Sequence, residues 1–172
     1  MKLKINKESL RKACLRNAED LLEESKLLFS KQKYSRATTL AITSFEEALK
    51  AGLVSALING LVIEKLFKKI WFKHEQKYLL KYARFIAKVY SDGESKLGLY
   101  LPSNRKEEIK QIFDIRNKSL YVDYSNNKIE IPKKSIRVHQ ALKYIKIAQR
   151  QIEDEKMIES LKSRLKRALV IK

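Results

Sequence analysis

The chain has 172 residues and carries 38 Lys and Arg against 20 Asp and Glu, a formal net charge of +18. Four Gly, two Pro and one Cys give too little turn punctuation for a β-rich fold, and they exclude an internal disulfide framework or a cysteine-rich zinc site. A single domain of this length buries a real core, and so large a positive charge points to a polyanion, nucleic acid before an anionic membrane surface.

The pattern predicts an all-α fold, an up-down bundle of about five helices. The first helix starts at Asn6, a good N-cap, and runs to about Lys31 with Leu10, Cys14, Ala18, Leu21, Leu22, Ser25 and Leu28 at helical steps. Cys14 reads as a small buried hydrophobe. After a polar connection at Lys31–Lys33, a second helix covers about Tyr34 to Leu57. Its stripe of Ala37, Leu40, Ala41, Ser44, Phe45, Ala48 and Ala51 is rich in small residues, which let helices approach closely, so this helix belongs at the centre. Glu46 and Lys50 stand four apart and read as a surface pair, with Glu47 at the edge of the stripe. No second carboxylate set of the Glu-x-x-His type accompanies them, so no metal and no cofactor is expected.

Asn59-Gly60 marks a helix end or kink. The apolar run Ala51–Ile63 is too short to span a bilayer, and no signal peptide is apparent at the charged N-terminus. A soluble, cytoplasmic protein is the expectation. A third, long helix is read over about Leu61–Tyr90, with Phe67, Trp71, His74, Tyr78, Tyr82, Phe85 and Val89 as its stripe. Lys73, Lys77 and Lys81 run beside it as a row suited to phosphates. Ser91–Asn104 reads as the longest loop.

The next helix contains Ile109, Ile112 and Phe113 on its buried face. Helical steps continue that face to Arg116 and Leu120. An arginine in line with apolar residues is costly unless it has a partner or meets an anion. Two short runs, Leu120–Tyr124 and Lys128–Ile131, flank Ser125-Asn126-Asn127 and suit a β-hairpin. Pro132 is placed just inside the last helix, whose stripe includes Val138, Ala141, Leu142, Ile145, Ala148 and Ile152. The stripe resumes out of phase after Glu153-Asp154-Glu155. This predicts a bend near 153–157 or a separate basic helix, so the chain divides into a bundle over 1–152 and a basic helical extension over 153–172.

Arg116-Asn117, then Lys118, Ser119 and Leu120, then Tyr121 resembles the Arg-x4–6-His signature of HEPN domains. Three pieces in order narrow the resemblance to the AbiV abortive-infection family of the HEPN superfamily. They are Ala41–Ala51 with its Ser44-Phe45-Glu46-Glu47-Ala48 centre, then Phe72-Lys73-His74-Glu75-Gln76-Lys77, then Arg116 with Ser119-Leu120-Tyr121-Val122-Asp123. The resemblance implies a two-fold homodimer in which two Arg motifs face each other across a cleft, phage defence, and metal-independent cleavage of RNA. It makes Arg116 the phosphate holder, as a planar guanidinium suits. Asn117 would orient that arginine or the attacking hydroxyl, and Tyr121 takes the histidine position. His74 would supply an imidazole oriented by Glu47, and Lys73, Lys77, Lys81 and Lys118 would contact RNA. Tyrosine as a type titrates near about pH 10, which suits it to donating a hydrogen bond rather than accepting a proton. The alternative is therefore a non-catalytic HEPN module that binds RNA or a protein partner, of phage or regulatory origin.

Overall fold

The computed structural model describes residues 6–72, 78, 103–125 and 128–170. Among them are α1 (Lys7–Ser30), α2 (Tyr34–Ile58), α3 (Glu64–Trp71), α4 (Ser103–Leu120), a hairpin of β1 (Asp123–Ser125) and β2 (Lys128–Glu130), the single turn α5 (Pro132–Ser135) and α6 (Val138–Val170). The all-α bundle is as the pattern predicts, with the hairpin before the last helices.

Helix ends follow local chemistry. The Asn6 side chain accepts the Ser9 N–H at 3.1 Å, capping α1. α1 and α2 both close in Schellman turns. At α1, Gln32 takes φ +56°, and Gln32 and Lys33 donate back to the Phe29 and Leu28 carbonyls. At α2, Gly60 takes φ +70°, where glycine is favoured, and Gly60 and Leu61 donate to the Leu57 and Ala56 carbonyls.

α2 is central, packing along α1 and α6 and also touching α3, α4 and α5. The small-residue stripe is the reason. Ala18, Ala37, Ala41, Ala48, Ala51, Ala141 and Ala148 are all fully buried. The helices come so close that Ser25 Oγ on α1 donates to the Ala37 carbonyl on α2 at 2.7 Å. In the opposite sense, Ser44 Oγ on α2 donates to the Ala18 carbonyl at 2.6 Å. Cys14 is buried in the same core, as expected, together with Ile42, Phe45, Leu49, Ile109, Ile112 and Ile145. Each large aliphatic or aromatic side chain so buried contributes about 1.5–3 kcal/mol.

Four expectations need correction. The third helix starts at Glu64 rather than Leu61, because the Gly60 turn redirects the chain. It also ends at Trp71, with Phe72 as its cap; of the remaining residues of that stretch only Tyr78, which is helical, is described. α4 starts at Ser103, inside the expected loop. Pro132 opens only one turn, and the extended Ile136 breaks it from α6. α6 then runs without interruption to Val170, so no separate helix follows residue 153. The phase slip is absorbed by polar burial: Gln151 and Glu155 are both inside, joined by a 3.0 Å hydrogen bond.

Candidate functional site

α2 carries adjacent carboxylates at 46 and 47, which point about 100° apart around the helix. Glu46 falls in phase with Ile42, Leu49 and Leu53 and is buried with them. Glu47 lies at the rim and forms an ion pair with Lys50. The ammonium of Lys50 also sits 5.3 Å from the centre of the Trp71 ring. The expected surface pair of Glu46 with Lys50 is thus replaced by an i,i+3 pair from the neighbouring carboxylate. Glu46 is aimed at α4 instead.

There it meets Arg116. Arg116 Nε lies 3.4 Å from Glu46 Oε1, with the arginine side chain 18% exposed and the glutamate side chain 4%. The same carboxylate oxygen accepts a hydrogen bond from the Tyr78 hydroxyl at 2.5 Å. Tyr78 is fully buried, and its ring stacks on Phe45 with centroids 6.2 Å apart. Burial first, and then the charge of Glu46, push the Tyr78 hydroxyl well above the ordinary tyrosine range. It therefore stays neutral and acts as a donor. The cost of an arginine in the apolar stripe of α4 is met by a carboxylate, as a partly buried charge requires. Nε itself is buried and makes no hydrogen bond among the described residues, so its contact with Glu46 is one of charge rather than a well-aligned hydrogen bond.

The end of α4 is fastened by hydroxyls. Ser119 is buried, 2.8 Å from Thr39 Oγ1 on α2, and its hydroxyl donates to the Arg116 carbonyl at 2.8 Å. This fixes the last turn of α4 against α2. Asn117 is half-buried, and its carbonyl accepts the Tyr121 N–H at 2.9 Å. Tyr121 lies just past the end of the helix and is 58% exposed. On an ideal helix 116 and 121 are about 140° apart, so the two side chains leave the backbone in different directions.

Lys118 is exposed and lines an open groove of about 290 Å³ between α4 and α6, with Gln111, Asp114, Gln140, Lys143 and Tyr144. His74, Lys73, Lys77 and Lys81 lie outside the described residues. Of the residues singled out from sequence, Arg116, Asn117, Lys118 and Tyr121 share the end of α4, whereas Glu47 pairs with Lys50. Glu46 and Tyr78 were missed as site residues. The signal for Glu46 was its phase, a carboxylate in step with Ile42 and Leu49. Among the described residues no group of three or more His, Cys, Asp or Glu side chains gathers to hold a metal ion, and no helix is long and apolar enough to cross a membrane.

No curated protein and no solved structure matches the chain. Residues 7–153 match the family model of AbiV, a group of HEPN domains. That match takes in α1 to α4, the hairpin, α5 and the first half of α6, and so includes Arg116 and Glu46. The chain belongs to the AbiV family of HEPN proteins, a family of abortive-infection type.

Proposed function

We propose that this protein is a dimeric, metal-independent HEPN-type endoribonuclease of the cytoplasm that defends against phage by abortive infection. The observation that carries the reading is Arg116: a guanidinium at the end of α4, paired through Nε with the buried Glu46 and still 18% exposed. A cation positioned in this way suits the charge that develops on phosphate when a neighbouring 2′-hydroxyl attacks it. In that reaction the 2′-oxygen bonds to phosphorus, the bond to the 5′-oxygen breaks, and the proton of the 2′-hydroxyl is delivered to the leaving oxygen. Arg116 would hold the phosphate, Glu46 would orient Arg116, and Asn117 and Tyr121 would contact the RNA. His74, oriented by Glu47, would be the candidate for moving the proton.

The test is incubation of the purified protein with total RNA in the presence of a chelator. Cleavage that disappears in Arg116→Ala, with the fold intact by circular dichroism, is the expected result. No cleavage, or cleavage indifferent to Arg116, overturns it.

A second reading, a non-catalytic module binding RNA or a protein partner, is favoured by one observation: Tyr121 is exposed beyond the helix end rather than packed beside Arg116. Under that reading the native chain cleaves nothing, and Tyr121→His restores cleavage.

A further inference from the structure

Among the described residues, one group of large apolar side chains facing solvent runs from the end of α4 through the hairpin; another surrounds the α2–α3 turn and the end of α3. Tyr121 is 58% exposed, Val122 64%, Tyr124 68% and Ile129 71%. The register puts Tyr124 opposite Ile129, so these two share one face of the hairpin, and strand alternation adds Val122 and Ile131 to it. A two-stranded hairpin ordinarily turns such a face onto a core, because alone it is marginal in water. Here the face is turned outward, and its largest member, Tyr124, is aromatic; a second exposed aromatic, Tyr121, stands just before it in the chain.

The charges around it decide what it suits. Lys118 precedes the stretch, and Lys133, Lys134 and Arg137 follow within a few residues, all exposed; by the same alternation Asp123, Lys128 and Glu130 belong to the other face of the hairpin. A second copy placed on this face would bring the same lysines against themselves, at a cost in like-charge repulsion. A polyanion gains from them instead. Exposed aromatic rings framed by lysines are what unpaired nucleic-acid bases use, with bases stacked on the rings and phosphates on the cations. The platform is also close to the candidate site. Tyr121 is one helical turn past Asn117, and at most about 10 Å of chain separates it from Tyr124.

We propose that the outward face of the hairpin, Tyr124 and Ile129, is a stacking platform for unpaired RNA bases, with Lys118 and Lys133 supplying cations for the adjacent phosphates. It rests on the reading of the chain as an RNA-directed protein and narrows the substrate class to single-stranded segments, since a duplex hides its base faces. The platform supplies hold and choice of substrate; Arg116 supplies the chemistry.

The test is binding, without turnover, of a labelled 2′-O-methyl oligoribonucleotide of about 12 nucleotides. It has no 2′-hydroxyl to attack, so the wild-type protein can be used. An abasic oligonucleotide with the same phosphates is the companion probe. Tyr124→Leu, which keeps an apolar side chain but no ring, should weaken binding of the base-carrying strand about tenfold. Tyr124→Phe should stay within about twofold of the wild type. The abasic strand should bind both variants and the wild type alike. Equal binding by the Leu and Phe variants, or no preference for bases over abasic sites, overturns the platform. So does a Tyr124→Leu protein that changes sedimentation mass while keeping base-dependent binding, which assigns the face to a second copy. Failure of the nuclease reading is separate: RNA cleavage that ignores Arg116→Ala leaves the base-dependent binding standing.

Discussion

Two consecutive regions treat apolar and charged groups in opposite ways. Along α4 from Ile109 to Ser119 the chain buries what it can, including an arginine paired to Glu46 and a serine paired to Thr39. From Leu120 to Ile131 it exposes tyrosines, a valine and isoleucines. Composition alone does not account for this, since the second region is the more apolar. What differs is the neighbour. α4 runs against α2, whose Glu46 and Thr39 supply partners for Arg116 and Ser119, whereas the hairpin extends past the end of α4. Burial follows the partner, not the hydropathy.

The largest effect that would break this comparison is at Glu46. Glu46→Ala removes the carboxylate that faces Arg116 and accepts from Tyr78, and a broken buried pair costs about 3–5 kcal/mol; chemical denaturation should register about 3 kcal/mol or more. A loss below about 1 kcal/mol would mean that the Arg116 guanidinium is solvated and that the pair is not structural.

Alkaline titration gives an intermediate effect. Burial first, and then the charge of Glu47, push the Cys14 thiol up from 9.0 to about 11. A group whose folded value is raised holds its proton more tightly in the native state. Its stabilisation is complete below pH 9.0 and is lost as pH rises to about 11. Tyr78 and Tyr144, both raised mainly by burial, act in the same direction from pH 10.0 upward. Melting temperature should therefore fall above pH 9, and Cys14→Ala should flatten the first part of the fall. A fall of unchanged slope in Cys14→Ala would show that the thiol is hydrated.

The smallest effect belongs to the hairpin. Ile129→Ser should change stability by less than about 0.5 kcal/mol, as at a surface position. A larger loss, read from the same denaturation curves, would show that the outward face is covered in the folded protein.

Much of this was legible in the sequence, for identifiable reasons. Periodicity found α1, α2 and the first part of α6, because their stripes are long and regular. The N-cap at Asn6 and the turn at Gly60 were visible because they depend on one or two residues. The arginine in the α4 stripe announced that it needed a partner. Its partner was not visible, because Glu46 lies 70 positions away and offered a plausible local pair in Lys50. Arg11 shows the same blind spot. It is buried on α1 between Glu8, three residues away, and Glu159 in the second half of α6. Local rules find local partners. The Arg-Asn-x3-Tyr stretch was legible as a motif, but the exposure of Tyr121 depends on where α4 stops.

The reciprocal serine bonds between α1 and α2 carry a mechanical consequence. Ser25 and Ser44 each donate to a carbonyl of the other helix, from opposite sides of the contact. A slide of one helix past the other would lose both bonds and drive buried alanines into backbone, so the pair has one permitted setting. Glu46 is therefore mounted on a rail that does not travel. Any adjustment of the Arg116–Glu46 contact when a ligand arrives must come from α4, whose last turn is fastened to α2 by only the Thr39–Ser119 hydroxyl contact and that ion pair among the described polar contacts.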